Sequence, residues 1–309
     1  MTYPTVTGYP DYSSSGPNKF HKSVWSGRLN QKFYEATVLN SIANTNFEGE
    51  IKEQGDLIYI RTIPDVTIRD YVKGQTIDYE RPQSSAVDLL IDKGKYYAFT
   101  CDDIDKWQAD ISLFETWSID ASEQIKVVID TEVLADIYDD AHADNKGAAA
   151  GAISKDIDLG TTGAPVQITK DNVIDYIVDC STVLDEQNIP DTDRWIVIPA
   201  WLSGMIKKSE LKDASMTNDN ESILRNGRIG IIDRFTVFAS NNIHSVTDGA
   251  DTAYYVMFGH RSALTFASQI TKVETLRAES TFGDLVRGLI VYGYKTLKPD
   301  AIGALYSYR

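Results

Sequence analysis

Gly227-Arg228-Ile229-Gly230-Ile231-Ile232-Asp233-Arg234-Phe235-Thr236-Val237-Phe238-Ala239-Ser240-Asn241-Asn242 reads as two short strands about a polar Asp-Arg turn, closing on Ser240-Asn241-Asn242. Residues 229–232 and 235–239 carry the β-branched and aromatic side chains that pack on a pleated surface, and the polar residues between and after them are stops. Downstream the same texture recurs, which predicts strands at 254–258, 263–266, 271–277 and 286–295. Upstream, Val173, Ile177, Cys180 and Leu184 keep helical spacing, predicting a helix capped by Thr169 and closed before Pro190. Residues 195–198 read as a short buried strand, and Pro199 opens a helix through Lys208. Strands separated by helices of unequal length place the chain in the α+β class.

Further toward the N-terminus, residues 1–24 carry Pro4, Gly8, Pro10 and Gly16-Pro17 among serines, a composition that reads as an extended arm with nothing of its own to bury. Leu29, Phe33, Ala36, Leu39 and Ala43 are spaced four, three, three and four apart, which predicts an amphipathic helix ending near 46–49. Residues 56–64 and 86–100 read as strands flanking a polar stretch punctuated by Gly74 and Pro82. So long a hairpin is marginal alone and needs a partner surface, which can be another chain.

Ser112-Leu113-Phe114-Glu115 matches a capping box, and the apolar spacing from Phe114 to Ala141 predicts one helix over 113–143. Residues 101–145 hold thirteen acids and two bases, a local balance of −11, so most of the net charge of −15 sits on and before that helix. Its polar face must see water, cations or a basic partner, a solvated face being the plainest reading. Residues 147–165 are small and flexible, a loop or boundary.

The chain has 309 residues, 42% hydrophobic and 24% charged, values of a folded globular protein. A net charge of −15 gives no global attraction to phosphate backbones or anionic lipid, which disfavours sequence-specific DNA binding. No secretory signal and no membrane-spanning apolar run is visible. Cys101 and Cys180 allow one bridge at most and cannot build a four-ligand zinc site, so both read as small core residues of a protein in a reducing cytoplasm. Phosphate-loop, dinucleotide-binding, nucleophile-elbow and zinc-helix signatures are absent. His21, His142, His244 and His260 lie far apart and read as surface or satisfied core residues. Asp102-Asp103-Ile104-Asp105 is a fragment of a calcium loop without its glycine or closing glutamate, while 191–193 and 248–251 read as polar turns. No catalytic residue, cofactor site or metal site emerges, and a hydrolase built on scattered Asp and His residues lacks a converging constellation.

The run 227–242, together with Glu279-Ser280-Thr281-Phe282-Gly283-Asp284-Leu285-Val286-Arg287-Gly288-Leu289, Tyr292-Gly293-Tyr294-Lys295 and Pro299-Asp300-Ala301, resembles the major capsid proteins of tailed bacteriophages, the Hong Kong 97-type fold family. The order of elements carries the resemblance over nearly the whole chain. It implies an N-terminal arm and short helix over 1–48, a long E-loop hairpin over 49–100, a peripheral domain with a long spine helix over 101–168 and 269–300, and an axial domain over 169–268 and 301–309. Asp233-Arg234 stands where such proteins commonly carry a glycine, which leaves the turn type open.

The family implies a structural protein and not an enzyme: a coat protein that self-assembles as pentamers and hexamers into the icosahedral head of a phage enclosing double-stranded DNA. An encapsulin-type nanocompartment shell is the alternative. Expected partners are other copies of the chain and a portal protein, with a separate scaffolding protein or none and a decoration protein left open, and with DNA enclosed without specific binding, no membrane, assembly in the host cytoplasm and residence in the virion. Arg61, Arg69, Lys73 and Arg81 on the hairpin are the expected intersubunit cations, facing a neighbour's acidic spine-helix domain. Asp136, Asp139 and Asp140 are the expected lumenal acidic face, repelling packed phosphates.

Overall fold

The computed structural model describes residues 37–46, 57–61, 63–64, 66–83, 86–103, 113–209, 230–249, 251–278 and 282–309. Its largest sheet has the order β4-β12-β9-β5-β7-β6, formed by Val166–Gln167, Ile302–Tyr308, Asp251–His260, Arg194–Ile198, Phe235–Ala239 and Ile231–Ile232, with β8 (Ser245–Asp248) paired to β9. β5 lies at the centre, parallel to β7 and antiparallel to β9. Both faces of this sheet are covered, which explains its nearly unbroken apolar strands. Ile196, Ile198, Val256, Phe258 and Leu305 point into a core shared with α3 (Val173–Glu186) and α4 (Ala200–Lys208). The alternate residues Trp195, Val197, Met257, Ile302 and Ala304 point into a second core with α1 (Leu39–Ile42) and α2 (Leu113–Asp136).

A second sheet has the order β10-β11-β3, all antiparallel, from Leu264–Arg277, Gly283–Thr296 and Lys93–Asp102. One face packs on α2: Trp117 meets Phe99 edge-on at 5.8 Å, and Ile125, Ile129 and Val133, spaced four apart, form the helix's buried ridge, which Ile137 continues just past its end. β1 (Leu57–Arg61) and β2 (Ala86–Leu90) make a separate antiparallel pair.

Several expectations change. The strand expected over 86–100 breaks at Ile91-Asp92, and its second half leaves the hairpin to become the edge of the second sheet. The strands expected at 263–266 and 271–277 are one strand with an irregularity between Ser268 and Ile270. The long helix ends at Asp136, not 143, and of the helix expected from Leu29 to 46–49 the described residues hold one turn, Leu39–Ile42. Residues 1–36 and Ser112 of the capping box lie outside the described residues. The N-cap of α3 is Asn172, not Thr169; the Thr169 N–H instead donates to Asn172 Oδ1 at 2.7 Å. β12, central to the fold, is absent from the sequence expectations.

The Asp233-Arg234 turn is settled: both residues have positive φ, 41° and 68°, between the paired Ile232 and Phe235. Two positive φ values define the mirror-image hairpin turn for which glycine is the usual occupant. Arg234 offsets the backbone cost by reaching Asp191 at 2.8 Å and Asp185 at 3.2 Å.

Candidate assembly surfaces

The β1–β2 hairpin is anchored at its base, where Leu89 and Ile91 are buried with Ala267 against Ile58, Ile60 and Val291. Beyond the pair, residues 66–83 form no strand and are exposed throughout. Their turn closes through the Gln75 N–H donating to Val72 O at 2.9 Å, with Gly74 at φ 90° supplying the left-handed step. Ile68 and Tyr79 are 90% and 91% exposed, and Val66, Tyr71, Val72 and Ile77 are exposed as well. Exposed apolar side chains on a segment without a core of its own make it a candidate contact surface.

The four hairpin cations part ways. Arg69 pairs within its own tip, with Asp78 at 3.5 Å and Glu80 at 3.9 Å. Glu80 also accepts the Thr67 N–H at 2.6 Å, and this bond holds its carboxyl below the usual range. Arg61, Lys73 and Arg81 are exposed and make no ion pair among the described residues.

The expected acidic face divides too. Asp136, the last residue of α2, turns to its own sheet, accepting from Lys93 Nζ at 3.3 Å and from the Tyr294 hydroxyl. One turn earlier Glu132 binds Lys93 at 3.0 Å, Lys95 at 2.6 Å and the Tyr292 hydroxyl at 3.0 Å. Burial pushes the Lys93 ammonium down, but bonds to Tyr294, Glu132 and Asp136 overcome it and hold the ammonium above its ordinary value; burial and Asp136 push Tyr294 up to about 12. Asp139 and Asp140 lie past the helix end and are exposed. The expected lumenal trio is therefore two exposed carboxylates and one committed to the chain's own packing.

On the far side of the second sheet, Tyr96, Ala98 and Leu289 stand side by side with a charged trio in which Glu274 receives Lys272 and both Arg287 Nε, at 2.9 Å, and Nη2, at 2.6 Å. Tyr96 is 78% exposed, and together these residues line an open recess of about 460 Å³. No described element covers this face.

No catalytic constellation forms among the described residues. His260 Nδ1 accepts the Ser262 N–H at 3.1 Å and meets its hydroxyl at 2.8 Å, a local turn contact with burial holding the imidazole low. His142 Nδ1 accepts the Asp144 N–H at 3.2 Å, and His244 stacks on Tyr138 with centroids 5.5 Å apart. His21 lies outside the described residues. Among the described residues no group of three His, Cys, Asp or Glu side chains could hold a metal ion, and Asp103, from the calcium-loop fragment, binds Arg277 at 2.8 Å. Cys101 and Cys180 are buried and unbridged, and burial pushes the Cys180 thiol up.

Sequence reasoning missed the Lys93–Glu132 cluster, although a Lys-x-Lys step in a strand and a Glu-x-x-x-Asp step in a helix each place two like charges on one face.

No family model matches the chain, and no curated protein matches it. Solved structures do. A chain from Mycobacterium phage Che8 is 27% identical with a TM-score of 0.76, over 93% of this chain and 97% of that one. The capsid structure of cyanophage P-SCSP1u matches at 14% identity and a TM-score of 0.72, over 99% and 98%. The mature capsid of bacteriophage PhiM1 matches at 17% and 0.66, over 94% of each chain.

Proposed function

We infer that this chain, which has the fold of tailed-phage capsid proteins, is a major capsid protein that builds an icosahedral head from pentamers and hexamers of itself around double-stranded DNA. The observation that carries the reading beyond fold is the hairpin tip at 66–83, whose apolar side chains are uncovered and which has no core of its own. A protrusion on one surface and an open recess of mixed apolar and charged lining on another are the two halves of a heterologous contact, which closes into rings when the rotation between copies permits. The proposed division keeps the sequence expectation of an arm and short helix at 1–48, a hairpin at 49–100, a peripheral domain at 101–168 and 269–300, and an axial domain at 169–268 and 301–309, except that β3 belongs with the peripheral sheet.

Within the shell, Arg61, Lys73 and Arg81 are the hairpin cations free to meet a neighbour's acidic helix, while Arg69 keeps the tip in shape. Asp139 and Asp140 line the lumen, where carboxylates keep packed phosphates from adhering. A portal protein completes the head, with or without separate scaffolding and decoration proteins. The chain's role is structural and not enzymatic, its place is the virion, and its assembly takes place in the host cytoplasm. A nanocompartment of the encapsulin type is not favoured, since the cyanophage P-SCSP1u and PhiM1 structures that the chain resembles are capsids.

Electron microscopy of the purified full-length chain tests the reading: closed shells of uniform diameter are the expected result. A monomer or small closed oligomer at every concentration and salt tried would refute it.

A further inference from the structure

The buried carboxylate of Asp130 is 1% exposed and stands where three elements meet. Its Oδ1 accepts the backbone N–H groups of Val38 at 3.1 Å and Leu39 at 2.9 Å. Oδ2 accepts Asn242 Nδ2 at 2.8 Å, from the turn that leaves β7. Among the described residues, the segment so held is otherwise secured by apolar burial of Val38, Leu39, Ile42 and Ala43, by two backbone bonds, Asn44 N–H to Leu264 O and Phe266 N–H to Asn44 O, and by Arg261 Nε donating to Ala43 O at 3.4 Å. It is also the point from which residues 1–36 depart.

We propose that Asp130 is a latch whose charge decides how firmly residues 37–46 sit on α2 and β10. A carboxylate surrounded by donors and without a counter-ion among the described residues is held by charge-assisted bonds and penalised by burial at once, so its two protonation states grip the segment differently. The groups around it are few. On α2, Lys126 lines the same cavity one turn away but bonds Glu123 at 2.6 Å. Thr37, Leu39 and Asn40 from the segment, Phe266 and Ser268 from β10, Ile290 from β11 and Asn242 from the turn are all uncharged. Burial outweighs the three donated bonds and pushes the Asp130 carboxyl above the usual aspartate range. The docked state therefore holds its proton more tightly than a released, solvated Asp130 does. Docking strengthens on acidification and loosens as the carboxyl ionises.

Hydrogen exchange of the amides of residues 38–44 in the full chain, corrected for intrinsic exchange, tests this between pH 7.5 and 4.5. Protection should rise severalfold as pH falls, while the β9–β12 amides stay level. Asp130→Asn, uncharged and of the same shape, should flatten the profile. Asn242→Ala, which removes one donor, should move the rise to higher pH, and it serves also if the first variant does not fold. Lys126→Met should preserve the rise. A flat or reversed profile in the natural chain, the same slope in Asp130→Asn, or loss of the slope in Lys126→Met would each overturn the proposal. None of these outcomes depends on shell formation.

Discussion

Gly293 in β11 lies so close beneath the carbonyl of Leu90 that a β-carbon at position 293 would overlap the Leu90 oxygen and press on Ile91 Cα. The hairpin crosses the second sheet at this point, after β2 ends and before β3 begins. Gly293→Ala should therefore displace the hairpin base and cost about 1–3 kcal/mol, the usual price of overpacking. Thermal unfolding measures the loss, and faster exchange confined to 57–61 and 86–90 locates it. An unchanged midpoint would mean that the crossing can relax freely.

Glu132 sits among Lys93, Lys95 and Tyr292. Burial pushes its carboxyl up, but bonds from Lys95, Lys93 and Tyr292 outweigh burial and hold it below its ordinary value. Its contribution to stability is thus complete above that value and fades as pH falls through the lower folded value. Glu132→Gln should cost about 1–2 kcal/mol at pH 7, discounted for partial exposure. The difference from the natural chain should shrink below about pH 4. Urea titrations at pH 7 and pH 3.5 measure both, and an equal loss at the two would contradict the assignment.

Arg194 has no exposed surface, and its guanidinium donates to the carbonyls of Pro190 at 2.9 Å and Ile189 at 2.6 Å and to Asp185 at 2.6 Å. Arg194→Met leaves those acceptors without their donor. Removing one partner of a buried pair typically costs about 3–5 kcal/mol, and the lower end applies here because Asp185 keeps Arg234. Arg194→Lys should recover only part, since an ammonium cannot span the same fork of acceptors. The denaturant midpoint reports the order of the three proteins.

Ile68→Asp with Tyr79→Asp alters only exposed tip residues, so the monomer should unfold within about 0.5 kcal/mol of the natural chain. Shell yield in sedimentation should nevertheless collapse. Lys73→Glu with Arg81→Glu should reduce yield chiefly at low salt, where repulsion is least screened. Arg69→Glu is a poorer probe of contacts between copies, because it breaks pairs inside the tip. Normal shells from the double aspartate variant would remove the tip from the account of assembly.

Local periodicity carried much of the fold. Val173, Ile177, Cys180 and Leu184 are buried on one face of α3 as their spacing requires, and Arg194–Ile198 is buried along its whole length. Those signals depend on neighbours along the chain, and so they survive without a structure. The break at Ile91-Asp92 left no comparable mark, because both halves are good strand sequence and differ only in their partners, β1 for one and β11 for the other. The small residues of Ile302–Tyr308 likewise resemble a tail until β9 and β4 flank them.

The candidate surfaces follow the same division. The sequence alone determined that the hairpin is too long to support itself and that acids concentrate around α2, since both depend on composition and length. Tertiary structure alone decided which of those charges remain free. Glu132 and Asp136 meet Lys93 and Lys95 across more than 35 residues, Arg69 folds back on Asp78, and Asp130 is spent on two backbone N–H groups 91 and 92 positions away. A charge's solvation and partners belong to the space around it, and that space is set by pairings between distant segments which no local pattern encodes.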